Sequence, residues 1–213
     1  MIKILIAQKI NTDTAAFIEN VESLPFGAPE KERLMNIKNN DTAKASLAAY
    51  LALKTLVEPL GYKNLTIKRN AYGKPFFEHH PNLPFNISHS GDLSVAAICD
   101  NGKCQSIGVD IEFKKDRLDF KKIANRFFGN EKSEVQTQDD FLILWTNKEA
   151  FSKMRGGTLN EVISLPSENA DCYKVEFNNK TAYMSIHYES ALKSQEIKIF
   201  TDCNNISITK IKE

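Results

Sequence analysis

Asp110 and Glu112 stand two apart in a β-branched run, residues 106–112. In an extended strand Ile107, Val109 and Ile111 share one face and both carboxylates the other, about 7 Å apart. Like charges at that range destabilise each other unless a cation sits near them. A hard divalent ion with oxygen ligands, Mg²⁺ above all, relieves this; the plainer alternative is a half-buried strand with a solvated polar face. Glu149 and Lys153 lie four apart on a helical run, one turn after Trp145. They are either a surface ion pair in its favoured order, or a third carboxylate for the metal and a lysine aimed at a phosphate. Ser88, His89 and Ser90 precede Gly91 at a strand end, where hydroxyls, an imidazole and exposed N–H groups suit a phosphate. A polar hairpin turn is the alternative. Neighbouring strand side chains point oppositely, so Ser88 and His89 are not a nucleophile–base pair. Lys74 is a solitary turn lysine. His79 and His80 lack zinc-ligand spacing, and no P-loop, dinucleotide fingerprint or nucleophile elbow is present.

These groups need a scaffold, and the pattern supplies one. A first strand is expected over 2–7 and a helix over 14–24, broken by the Pro25–Pro29 stretch. The strongest helical run covers 43–57, with Asp41 as its N-cap. Strands follow at 65–68, 85–89 and 93–99, the last two around a Ser90-Gly91-Asp92 turn. The polar turn 100–103 marks a boundary, giving an N-terminal lobe of residues 1–102 and a C-terminal lobe of 103–213. The second lobe opens with the 106–112 strand. An amphipathic helix over 120–128 ends at Gly129, and a longer helix runs from Asp139/Asp140 to Met154. The tail, 171–211, reads as antiparallel strands with turns at Asn178-Asn179 and Asn204-Asn205. Each half reads strand, helices, strands, so the expected fold class is α+β in two similar lobes, although no residue-level repeat is visible.

Composition narrows the function. The chain has 213 residues, with 28 Lys+Arg against 27 Asp+Glu and a net charge of +1. Tight sequence-independent binding of nucleic acid needs a basic excess, so no nucleic-acid partner is expected. No apolar stretch approaches membrane-span length, and no membrane partner is expected. The four cysteines form no C-x-x-C pair. Reduced thiols in a cytoplasmic protein are the expectation.

Taken in order, residues 72–75 (Tyr-Gly-Lys-Pro), 85–91 (Phe-Asn-Ile-Ser-His-Ser-Gly), 108–112 (Gly-Val-Asp-Ile-Glu), 126–128 (Arg-Phe-Phe) and 145–153 (Trp-x-x-Lys-Glu-Ala-Phe-x-Lys) resemble the 4′-phosphopantetheinyl transferases. The likeness is to the two-lobe, monomeric, surfactin-synthetase-activating type, and spans roughly residues 30–160. It implies transfer of phosphopantetheine from coenzyme A to a serine of an acyl or peptidyl carrier protein, leaving adenosine 3′,5′-bisphosphate. It also implies Mg²⁺ (Mn²⁺ as substitute) on Asp110, Glu112 and Glu149, with Lys153 on the phosphates. Ser88, His89, Lys74, Lys44 and Lys31 then fall at positions holding the nucleotide and its 3′-phosphate. Asp110, Glu149 and Lys153 are the expected catalytic set, with Glu149 the first choice of base. A coenzyme A-binding regulatory module without transferase activity is the alternative.

Three positions depart from the family pattern. Lys44 stands where relatives commonly have Arg. Neither Glu131 nor Glu134 is cleanly the acidic residue that follows Phe-Phe. The usual Gly-x-Gly-Leu is Gly156-Gly157-Thr158-Leu159 here.

Overall fold

The computed structural model describes residues 1–190 and 196–211. The fold is α+β in two lobes. In the first, β1 (Ile2–Gln8) is followed by α1 (Thr14–Glu22), α2 (Ala28–Met35), α3 (Asn40–Val57), β2 (Ile67–Arg69), β3 (Pro75–Phe77), β4 (Phe85–Ser90) and β5 (Leu93–Cys99). After them come β6 (Cys104–Phe113), α4 (Phe120–Phe127), α5 (Gln138–Arg155), β7 (Asp171–Phe177), β8 (Lys180–Ser190), β9 (Ile197–Thr201) and β10 (Ile206–Lys210), all in the second lobe but β9. Two four-stranded sheets form, ordered β4-β5-β1-β9 and β10-β7-β8-β6, beside a small β2-β3 ribbon.

The alternation along β1 and β5 explains the layering. Ile2, Ile4, Ile6, Val95 and Ala97 face the second sheet and pack on Ile107, Val109, Ile111 and Val175. Their neighbours Leu5, Ala7, Ala96 and Ile98 face the opposite way, against Leu47, Tyr50 and Leu53 of α3. On the far side of the second sheet, Phe128, Phe141 and Tyr183 form a third cluster beneath α4 and α5. The order is helices, sheet, sheet, helices, with an apolar seam between the lobes.

Several expectations are corrected. The stretch after Pro25 is a break of only a few residues, because Pro29 sits in the first turn of α2, where its missing N–H costs nothing. Asn39, not Asp41, caps α3, accepting from Thr42 N at 2.9 Å. Thr137 starts α5 through a capping box with Asp140. The tail is not wholly antiparallel: β9 crosses back and pairs parallel with β1, so the first sheet draws on both ends of the chain. Residues 191–195 of that tail lie outside the described residues. Cys99 and Cys104 are bridged rather than reduced, because the β5–β6 turn brings their Cα atoms to 6.1 Å, within disulfide range. The glycine expectation holds: Gly129 follows α4 with φ +55°. No helix among the described residues is long and apolar enough to cross a membrane.

Candidate active site

The site is built where two sheet edges meet. β4 ends the first sheet and β6 ends the second, and unpaired edges normally need management. Here the period-two repeat Asn86, Ser88, Ser90 does it with side chains. Val109 N donates to Asn86 Oδ1 at 2.9 Å, Ser88 Oγ to Asp110 Oδ1 at 2.8 Å and Ser90 Oγ to Glu112 Oε2 at 2.8 Å. The hydroxyls thus orient the two carboxylates of the Asp-x-Glu strand. Above them runs α5, pressed close at Gly108, where an added Cβ would lie 2.0 Å from Ala150 O.

A cleft of about 330 Å³ opens there, lined by Ser46, Ser88, His89, Asp110, Glu112, Glu149, Lys153, Arg33 and Arg69 among others. One end is acidic. Lys153 does not pair with Glu149, as helical spacing allowed. It crosses to β6, donating to Asp110 Oδ1 at 2.6 Å and to Ser88 Oγ at 3.0 Å. Asp110 is 4% exposed, and its Oδ2 is buried with no hydrogen-bond partner. Burial, then the neighbouring charges of Asp110 and Glu112, pushes the Glu149 carboxyl up to about 7 against the relief from Lys153. Among the described residues no three His, Cys, Asp or Glu side chains converge tightly enough to grip a metal as they stand. The orphaned oxygen and mutually repelling carboxylates nevertheless suit a cation, since an added positive charge relieves both.

The other end is cationic. Arg33 Nε and Arg69 Nη2 donate to Glu30 Oε1 at 2.6 and 2.8 Å, and Tyr50 Oη adds a third bond at 2.6 Å. Burial would raise the Glu30 carboxyl, but the bonds from Arg69, Tyr50 and Arg33 hold it below its ordinary range. Two arginines against one glutamate leave a net positive charge beside the cleft. Desolvation and then the charge on Lys153 press the His89 imidazole below its usual pKa. Its Nε2 lies 3.5 Å from Ser46 Oγ.

Asp110, Glu112, Glu149, Lys153, Ser88 and His89 are therefore brought together as expected, but other expected residues are not. Lys31 donates to Glu22 O at 2.6 Å, toward the end of α1. Neither Lys31 nor Lys44 is among the residues of the cleft wall; the half-buried Lys44 lies in the first turns of α3, two residues before Ser46. Lys74 lines an adjoining cavity of about 220 Å³, but its Nζ is bonded to Ser106 Oγ and Met154 O. Burial pulls that amine down to about 8. Of Glu131 and Glu134, Glu131 is the one tied to the long helix: its Oε2 accepts from the buried Lys148 at 2.5 Å. Arg33 and Arg69 are the contributors that sequence reasoning missed. They are two of only five arginines in a lysine-rich chain, a usable signal, since arginine supplies a planar fork that lysine cannot.

Comparison with known proteins identifies the family. Residues 106–209 match the model of the 4′-phosphopantetheinyl transferase superfamily. Residues 13–101 match that of the 4′-phosphopantetheinyl transferase N-terminal region. The chain is 32% identical over 195 residues to the 4′-phosphopantetheinyl transferase gsp of Aneurinibacillus migulanus, covering 84% of this chain and 78% of that one. It is 28% identical to Sfp of Bacillus subtilis, covering 73% of this chain and 78% of that one. With AcpT of Escherichia coli K12 it shares 36% identity over 102 residues, 45% of this chain and 51% of the other. Matched by family models over both halves, and 32% identical to gsp across most of both chains, the chain belongs to the 4′-phosphopantetheinyl transferase superfamily.

Proposed function

We propose that this chain transfers 4′-phosphopantetheine from coenzyme A to a serine hydroxyl of an acyl or peptidyl carrier protein, releasing adenosine 3′,5′-bisphosphate. The observation that carries the reading is the two-signed cleft, whose wall joins Asp110, Glu112, Glu149 and Lys153 to Arg33 and Arg69, with His89 beside Lys153 and Asp110. A donor with a pyrophosphate and a separate phosphate monoester matches both ends.

Asp110, Glu112 and Glu149 are the residues to hold Mg²⁺, with Mn²⁺ as substitute. The bound ion supplies charge neutralisation for the pyrophosphate oxygens. Lys153, already within the acidic end, donates to a phosphate oxygen. Ser88 fixes Asp110, while His89, Arg33 and Arg69 hold the nucleotide side. The carrier serine Oγ attacks the phosphorus on the pantetheine side, and the bond from that phosphorus to the bridging oxygen breaks. The proton passes to a carboxylate of the site, Glu149 as first choice, and adenosine 3′,5′-bisphosphate departs. Positioning and charge stabilisation supply most of such a transfer. Residues 1–102 serve the nucleotide and 103–213 the metal and carrier docking, in a monomer acting in the cytoplasm.

The test is incubation with coenzyme A, Mg²⁺ and an apo carrier protein, read by intact mass. The carrier should gain one phosphopantetheine with Mg²⁺ or Mn²⁺ and none without. A carrier left unmodified overturns the reading, and full activity in excess EDTA removes the metal from it.

A further inference from the structure

Lys74 and Asn70 belong to the first lobe but spend their hydrogen bonds on the second. Lys74 Nζ donates to Ser106 Oγ at 2.6 Å and to Met154 O at 2.7 Å. Ser106 Oγ donates to the same carbonyl at 2.5 Å. Asn70 Nδ2 donates to Gly156 O at 2.7 Å. Its own Oδ1 accepts from the backbone of Tyr72 at 3.0 Å and Lys74 at 2.9 Å, which stiffens the turn that carries both side chains.

The Met154 and Gly156 carbonyls lie at the end of α5. The last carbonyls of a helix have no partner within it, and here groups from across the lobe boundary satisfy them. An ammonium at that place also complements the helix dipole. The fit leaves little slack: a Cβ at Gly156, where φ is +71°, would come within 2.9 Å of Asn70 Nδ2. Lys153 immediately precedes Met154, and Glu149 lies one turn earlier.

We propose that Lys74 and Asn70 are positioning residues, a clasp from the first lobe that fixes the last turn of α5 and through it Lys153 and Glu149. The inference rests on the transferase reading and assigns Lys74 a different task from contact with the nucleotide. Two of the three N–H bonds of its ammonium are already given to protein.

Lys74→Met, Lys74→Arg and Asn70→Ala are compared by kcat, KM for coenzyme A, and coenzyme A Kd from calorimetry. Lys74→Met should lower kcat about 10- to 100-fold, the scale of a misplaced catalytic group, with Kd within about twofold. Asn70→Ala should act in the same direction but less, and Lys74→Arg should recover part of kcat. Against a Lys153→Ala background, Lys74→Met should lower the residual rate by clearly less than it lowers the wild-type rate, because part of its effect runs through Lys153. A tenfold rise in Kd with kcat unchanged makes Lys74 a ligand contact and overturns the clasp. Unchanged kcat in both Lys74→Met and Asn70→Ala does the same. If Lys74→Met does not fold, Asn70→Ala, at an exposed position, decides alone. A wild-type protein that leaves the carrier unmodified is instead a failure of the transferase reading, and the clasp falls with it.

Discussion

Glu149 lines the cleft and Glu30 holds two of its arginines from behind, and the two are withdrawn from water in opposite circumstances. Three donors converge on Glu30 Oε1, so its charge is neutralised inside the protein and its carboxyl sits low. Glu149 shares its surroundings with Asp110 and Glu112, and its carboxyl is pushed up to about 7, burial first and like charge second. Asp110 adds an oxygen with no partner. The difference teaches which buried charge completes the fold and which is left for a ligand to complete. A satisfied carboxylate serves as a fixed strut for Arg33 and Arg69, whereas an unsatisfied group carries a cost that an added positive charge would relieve.

Substitutions can break this contrast. Glu149→Gln and Asp110→Ala should lower turnover on the order of 10³-fold or more, while coenzyme A binding stays measurable by calorimetry. Near-normal turnover in either would dissolve the acidic end as the reacting centre. Glu30→Ala should act on stability instead, by about 3 kcal/mol, because it leaves Tyr50 Oη and two guanidiniums without their shared acceptor. The urea midpoint reads this directly. Arg33→Ala keeps the strut and removes its cargo; coenzyme A affinity should fall by about 1–3 kcal/mol, as for a lost charged hydrogen bond, with kcat retained.

A fourth experiment uses pH. The folded carboxyl of Glu149 lies near 7 against an ordinary 4.5. Between those values the folded protein keeps a proton that the unfolded chain releases. Stability therefore falls as pH rises through that window, and the penalty is complete above it. Glu149→Gln should thus stabilise the metal-free protein at pH 8 by about 1–3 kcal/mol and leave it nearly unchanged at pH 4. A Tm in EDTA that shifts equally at both pH values would count against the charge crowding.

The smallest effect belongs to the surface. Residues 114–126 carry six basic and two acidic side chains, but Lys114 and Lys115 are tied to Asp139 and Glu112. Lys121 and Lys122, on α4, are two of the four basic residues that remain, and under the transferase reading they would steer an acidic carrier. Lys121→Glu with Lys122→Glu should raise the carrier KM several-fold and flatten its salt dependence, with the KM for coenzyme A little changed. Equal damage to both substrates would mark a folding defect.

What the sequence determined by itself was local and periodic. The two-residue repeat of β6 put Asp110 and Glu112 on one face, and the i, i+4 spacing put Glu149 and Lys153 on one side of α5. The Asn178-Asn179 turn, both residues at positive φ, was legible because few other residues adopt that backbone cheaply. Five motifs in order were enough for the family and the lobes. The tertiary structure decided the rest, since burial and partnership depend on segments far apart in sequence. No local pattern shows that Lys153 answers Asp110 rather than Glu149, that β9 returns to β1, or that Cys99 meets Cys104. Nor could spacing show that Lys31 bonds back to Glu22 while Arg33 and Arg69, 36 residues apart by number, converge on one buried glutamate. Charge on a side chain is written in the sequence, but its neighbours, and so its free energy, are set only when the lobes close.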